Sequence, residues 1–279
     1  MIQANKSAHQ PIGVFDSGYG GLTVLKEIVK ELPQYDYLYL GDNARAPYGS
    51  RSFETVYEYT LECVRHLFDR GCHLVVLACN TASAKALRTI QQKDLPKIAP
   101  DRRVLGVIRP TTEIIGNFTK SRQVGILGTS GTVNSGSYLV EIDKFFPDIS
   151  VQQEACPMWV PLIENDETNN AGAEFFIQRH VATLMQKAPD IDAIILGCTH
   201  YPLIAKQIQN YLPQHVQLLS QGPIVAQGLK DYLARHPEMD KHCSKSGTRH
   251  FLTTDQPASF DTAASLFYGE DLQSEHLAL

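Results

Sequence analysis

The sequence predicts an α/β protein of two similar lobes, each a largely parallel sheet with helices packed on it. Two observations carry that reading. Short apolar runs without polar alternation, the mark of strands buried on both faces, take turns with amphipathic stretches along the whole chain. The chain also repeats its own plan. Gly13-Val14-Phe15-Asp16-Ser17-Gly18 is echoed by Gly125-Ile126-Leu127-Gly128-Thr129-Ser130, at an offset of 112 (13 to 125). Leu74-Val75-Val76-Leu77-Ala78-Cys79-Asn80-Thr81 is echoed by Ala193-Ile194-Ile195-Leu196-Gly197-Cys198-Thr199, at an offset of 119 (79 to 198). Short apolar runs resemble one another by chance, but a cysteine at the same spot in each half favours two related lobes.

The elements follow in chain order. Ile12 to Phe15 reads as a buried strand running into a Gly-rich loop, Gly18 to Gly21. Leu25, Ile28, Val29 and Leu32 then keep the i, i+3, i+4, i+7 spacing of a helix that Pro33 stops. Phe53, Val56, Tyr57, Leu61, Val64 and Phe68 repeat that spacing, with Gly71 just beyond. Further strands are expected at Leu74 to Ala78, Val104 to Ile108, Val124 to Leu127, Ala193 to Leu196 and Val216 to Leu219. Two more βα units, Val216 to His236 and His250 to Phe267, are expected to complete the sheet of one lobe.

Composition narrows the function. A chain of 279 residues holds one large or two medium domains. A formal charge of −5, with no basic run interleaved with aromatics, argues against nucleic acid as a partner. The stretch Met1 to Gln10 is polar and no apolar run spans a bilayer, so the expectation is a cytoplasmic protein with no membrane partner. Six scattered cysteines, Cys63, Cys72, Cys79, Cys156, Cys198 and Cys243, then stay reduced, and a special one is either reactive or metal-binding. Metal is disfavoured, since Cys198-Thr199-His200 lacks a C-x-x-C partner and His236, His242, Cys243 and His250 have no zinc spacing. The Gly18 to Gly21 loop matches neither nucleotide-binding fingerprint, so no cofactor is expected.

Ligands of open parallel sheets bind at the carboxyl ends of the strands, where Cys79 and Cys198 both fall. A thiol there feels the positive end of the following helix, which is expected to lower its pKa. Each cysteine alone reads as a small buried residue. As a pair on facing walls of a cleft they suit a 1,1-proton transfer, one taking an α-proton and the other delivering a proton to the opposite face. Such chemistry needs donors for the charge that develops on the substrate carboxylate. Ser17, the Gly18 to Gly21 backbone, Asn80, Thr81 and the loop Gly128-Thr129-Ser130-Gly131-Thr132 are available. Thr81 and Thr199 are candidate helix caps or carboxylate binders, Pro202 suits a first helical turn, and Asp16 and His200 are candidate partners of the thiols.

These residues carry a resemblance. The motifs Gly13 to Leu22, Tyr39-Leu40-Gly41-Asp42, Pro47-Tyr48-Gly49, Ala78-Cys79-Asn80-Thr81-Ala82-Ser83, Gly128 to Val133 and Leu196-Gly197-Cys198-Thr199-His200-Tyr201-Pro202-Leu203 run in order from residue 13 to residue 203. In them the chain resembles the glutamate racemases of the pyridoxal-phosphate-independent aspartate/glutamate racemase superfamily. The resemblance implies pseudo-twofold symmetry, an active site between the lobes, and interconversion of L- and D-glutamate that supplies peptidoglycan synthesis. It implies a first lobe of residues 1–103 completed by 216–279, and a second of 104–215. It also implies Cys79 as base on D-glutamate and Cys198 as base on L-glutamate, assisted by Asp16 and His200. The substrate would be held by Asp16, Ser17, Pro47, Tyr48, Gly49, Asn80, Thr81, Thr129, Thr132, Thr199 and His200, with Asp42 and Glu164 in support. Two departures, Arg109 in Ile108-Arg109-Pro110 and the long polar stretch His236 to Arg249, leave open a homodimer and an activating cell-wall precursor. Aspartate racemase, a related cysteine-using isomerase or decarboxylase, and a non-catalytic two-lobe amino-acid-binding protein stay as rivals.

Overall fold

The computed structural model describes residues 10–279, so the stretch before Gln10 lies outside the described residues. Among the described residues, ten strands form two sheets. The first has six, in the order β10-β9-β2-β1-β3-β4, and the second four, in the order β6-β5-β7-β8. Every pairing is parallel. The first sheet holds β1 (Ile12–Asp16), β2 (Tyr37–Gly41), β3 (Leu74–Leu77), β4 (Arg103–Gly106), β9 (Arg249–Thr253) and β10 (Ser274–His276). The second holds β5 (Gln123–Gly128), β6 (Ser150–Ala155), β7 (Ala193–Gly197) and β8 (Gln217–Leu219).

The repeat read from the sequence is a repeat of topology. The order β2-β1-β3-β4 is matched by β6-β5-β7-β8, so β1 corresponds to β5 and β3 to β7. That correspondence corrects the expected boundaries at both ends. The Val104 strand does not open the second lobe. It pairs with β3 and buries Val104 beside Val75, Leu77 and Ile90, closing the first repeat. The strand at 217–219 does not return to the first lobe but pairs with β7 and closes the second. Of the two late βα units, only the one at 250–267 extends the first sheet, by adding β9 beside β2, with β10 outside it.

Local chemistry explains the elements that matter for the site. The helix α1 (Gly21–Glu31) buries Leu22, Val24, Leu25 and Ile28 against the first sheet. The helix α2 (Phe53–Asp69) starts at Ser52, whose Oγ accepts the Thr55 N–H at 3.1 Å, and it covers the other face with Val56, Val64 and Leu67. The short α3 (Asn80–Lys85) follows β3 directly. The polar stretch 236–249 folds under the amino ends of the first sheet. There Asp36 Oδ1 accepts the N–H groups of Ser246 and Thr248, and Met239 and Cys243 are buried. This stretch lies far along β1 and β2 from the cysteine ends, which answers why its length leaves the motif residues untouched. Among the described residues no helix is long and apolar enough to cross a membrane.

Candidate active site

Strand register brings the predicted residues to one level. Phe15 pairs with Leu77 and Gly128 with Gly197, so Ser17 and Cys79 leave the first sheet side by side, as Thr129 and Cys198 leave the second. A cleft of about 110 Å³ between the lobes is lined by both thiols. Ser17, Pro47, Tyr48, Gly49, Asn80 and Thr81 line its first wall. Thr129, Glu164, Thr199 and His200 line the second. Three expected residues stand behind the lining. Asp16 and Asp42 are buried under the first wall, and Thr132 under the second.

On the first wall Cys79 is itself the N-cap of α3, its Sγ accepting the Ala82 N–H at 3.4 Å, so capping does not fall to Thr81. Ser17 Oγ lies 3.4 Å from the same sulfur. The expectation of a lowered thiol pKa fails here. Burial, reinforced by the Asp16 carboxyl, pushes Cys79 up to about 12 and outweighs the stabilising contacts from Ser17 and the Ala82 N–H. Burial likewise raises Asp16, against the opposing effects of His200 and the Gly18 and Gly21 N–H groups. Asp16 Oδ2 accepts the Gly18 N–H at 2.9 Å, while Oδ1 is buried without a hydrogen-bond partner.

On the second wall Cys198 Sγ lies 3.9 Å from His200 Nδ1, and His200 Nε2 lies 2.8 Å from Glu164 Oε1. Burial disfavours the imidazolium, but the sulfur and the carboxylate prevail and raise His200 to about 10. Glu164 thus earns a defined place, at the far side of the ring that faces the thiol. Phe267 closes this corner, edge-on to His200 at 5.1 Å.

The lobes meet through hydroxyls. Thr81 Oγ1 lies 3.0 Å from Thr129 Oγ1 and 3.4 Å from Thr132 Oγ1, and Thr129 caps the helix Ser130–Ser135 by accepting the Thr132 N–H. Thr199 does not cap a helix; its carbonyl accepts from Thr23 Oγ1 at 2.9 Å. The Pro47-Tyr48-Gly49 loop follows a cis Ala46–Pro47 bond, and Gly49 O accepts the Gly131 N–H at 2.8 Å across the lobes. Asp42 holds that loop by accepting the Tyr48 hydroxyl, with Arg45 Nε at 2.7 Å and Thr254 Oγ1 at 2.9 Å.

Sequence reasoning missed part of the wall. Ala46 and Ser50 flank the expected loop, and Cys156, Pro157, Val160 and Pro161 line the cleft from the segment that precedes Glu164. The run Cys156-Pro157 to Pro161-Leu162-Ile163-Glu164, a turn into a short helix, was the available signal. Tyr138 and Gln221, buried just behind Asn80, carried no local signal at all.

The chain is similar to known proteins over most of its length. The Asp/Glu/Hydantoin racemase family matches residues 12–228. A glutamate racemase of Geobacter metallireducens is 40% identical over 262 residues, covering 94% of this chain and 93% of that protein. The crystal structure of the glutamate racemase isoform RacE1 from Bacillus anthracis superposes with a TM-score of 0.88 at 32% identity, covering 98% of each chain. That of the Francisella tularensis glutamate racemase in complex with D-glutamate gives 0.85 at 30% identity, covering 97% of this chain and 98% of the other. With two matching lobes, a shared cleft and relatives of this likeness over nearly its whole length, the chain belongs to the glutamate racemases of the Asp/Glu/Hydantoin racemase family.

Proposed function

We propose that this isomerase interconverts L- and D-glutamate without a cofactor, by a 1,1-proton transfer between Cys79 and Cys198, and so supplies D-glutamate for peptidoglycan. The observation that carries the reading is the placement of the two thiols on opposite walls of one cleft, each at the carboxyl end of an equivalent strand. Cys79 removes the α-proton of D-glutamate while Cys198 delivers a proton to the other face, and the roles exchange for L-glutamate. The delivered proton comes from the second thiol, which exchanges with solvent before the substrate binds, and the substrate need not turn over in the cleft.

Burial pushes the Cys79 thiol up, and a substrate ammonium entering the cleft beside the sulfur favours its thiolate. His200, held positive by Glu164, is placed to support a thiolate at Cys198. Ser17, Asn80, Thr81, Thr129 and Thr199 offer the hydroxyl and amide donors that the substrate carboxylates require. A homodimer and an activating cell-wall precursor belong to the same proposal; sedimentation with and without the precursor, alongside the assay, tests both.

In heavy water the product enantiomer should carry deuterium at its α-carbon from the first turnover, while remaining substrate gains little. Cys79→Ala or Cys198→Ala should each abolish inversion in a folded protein, with activity unaffected by chelator or by added pyridoxal phosphate in the unaltered chain. A folded single-alanine variant racemising near the unaltered rate would overturn the two-thiol reading. Inversion of aspartate in preference to glutamate would instead overturn the substrate.

A further inference from the structure

Behind Asn80 lies a closed ring of hydrogen bonds whose members come from three separate parts of the chain. Asn80 follows β3 in the first lobe, Tyr138 sits on the helix Ser137–Phe145 of the second, and Gln221 opens the helix Gln221–Arg235 that leaves β8. Asn80 Nδ2 donates to Gln221 Oε1 at 2.7 Å, Gln221 Nε2 donates to Tyr138 Oη at 2.8 Å, and Tyr138 Oη donates to Asn80 Oδ1 at 2.7 Å. All three side chains are buried.

The direction of this ring is dictated from outside it. Gln221 Nε2 also meets the backbone carbonyl of Val107 at 3.0 Å and Thr111 Oγ1 at 3.2 Å. A carbonyl only accepts, so the Gln221 atom facing Val107 must be the amide nitrogen. Gln221 then presents its oxygen to Asn80, which must answer with Nδ2, and Asn80 Oδ1 must face the Tyr138 hydroxyl. One backbone carbonyl in the segment joining the lobes thereby fixes which way the Asn80 amide points. One Nδ2 hydrogen is spent in the ring, and the other remains for the cleft that Asn80 lines. Tyr138 also reaches the strand end that carries the second thiol, because its ring lies beside Gly197, where an added Cβ would meet Tyr138 Cε2 at 3.3 Å. The same side chain therefore braces the residue after Cys79 and the residue before Cys198.

We propose that Gln221 and Tyr138 are positioning residues, which lock the Asn80 amide with its donor toward the substrate and hold the two cysteine-bearing strand ends at a fixed spacing. This rests on the reading of Asn80 as a substrate-binding residue in the racemase cleft. Nothing in the ring touches the reacting carbon, so its loss should show in substrate binding before turnover. Gln221→Met keeps the length of the side chain and removes the amide; Tyr138→Phe removes only the hydroxyl.

The test measures both directions of racemisation and, separately, glutamate binding by calorimetry, so that it stands even if the chain proved to turn over glutamate by another route. Each variant should raise KM and Kd for both enantiomers by about tenfold, the worth of one charge-assisted hydrogen bond, while kcat moves less than KM. Placed on Asn80→Ala, neither change should raise Kd further, because the route through Asn80 is already gone. Kd within twofold of the unaltered protein in folded Gln221→Met, or effects that multiply on Asn80→Ala, would overturn the proposal and leave the ring a purely structural tie. Melting temperature separates the two cases, since a structural tie lowers it without changing Kd. The cysteine variants remain the independent test of the two-thiol reading.

Discussion

His200 is pulled in two directions, and the outcome sets a pH dependence. Burial favours the neutral ring, yet the sulfur on Nδ1 and the Glu164 carboxylate on Nε2 raise its pKa to about 10, against 6.5 for an unperturbed imidazole. A folded-state pKa above the unfolded one means stability that is fully present below about pH 6.5 and is lost as pH rises through about 10. Glu164→Gln removes one of the two groups that hold the charge. Its stability should therefore fall less between pH 6.5 and pH 10 than that of the unaltered chain, read as the difference in urea midpoints at the two pH values. An equal fall in both proteins would place the titration elsewhere. At the same scale lies the main failure of sequence reasoning about the thiols. A helix N-terminus after a strand is visible in the sequence, but the desolvation that overrides it at Cys79 depends on what covers the sulfur, and that is not a local property.

The loop from β1 into α1 shows how an element serves the site by what it lacks. A Cβ on Gly20 would stand 2.2 Å from Thr199 Oγ1 and 2.4 Å from His200 Nδ1, and one on Gly21 would stand 2.5 Å from the Asp16 Cβ. Gly20 has ordinary helical dihedrals, φ −57° and ψ −36°, so the backbone would accept alanine. What excludes it is the close approach of the second lobe. Gly20→Ala should push Thr199 and His200 away from Cys198, lowering kcat/KM by at least about tenfold at an overpacking cost of about 1–3 kcal/mol in stability. Unchanged kinetics in this variant would mean that the His200 position seen here is not needed for turnover. The sequence displayed the Gly-rich loop plainly. Its purpose was not legible, because the atoms it makes room for lie some 180 residues along the chain.

For the molecule as a whole, the site exists only while the lobes are apposed. Threonine hydroxyls, the Gly49–Gly131 backbone bond and the Asn80 ring cross from one lobe to the other, and the C-terminal helix Pro257–Tyr268 seals the edge with Phe260 and Phe267 stacked on Tyr19 at 5.4 and 5.7 Å. A ligand held by both walls must then oppose unfolding. At a concentration of 100 times its Kd, glutamate should add about 2.7 kcal/mol to stability and raise the melting temperature by several degrees. Differential scanning calorimetry with D-glutamate, L-glutamate and an unrelated amino acid checks this. Equal melting temperatures in all three would argue against a closed interlobe site.

The fold class, the duplicated plan and the two cysteines are legible along the chain, because each is written locally: buried parallel strands are uninterrupted apolar runs, and a repeat shows itself in matching neighbours. Of the strands not expected from it, β6 is mostly polar and β10 is three residues long, so neither bears that signature, whereas β2, Tyr-Leu-Tyr-Leu-Gly and buried throughout, does bear it. Which sheet β4 and β8 join emerges in the folded molecule, since a short strand fits either sheet and pairing register chooses. Folding likewise puts Asp16, Asp42 and Thr132 behind the wall and Cys156 in it, and brings Gln221 to Asn80 from 141 residues away. Burial and hydrogen-bond direction depend on atoms brought together by folding, and no spacing along the chain records them.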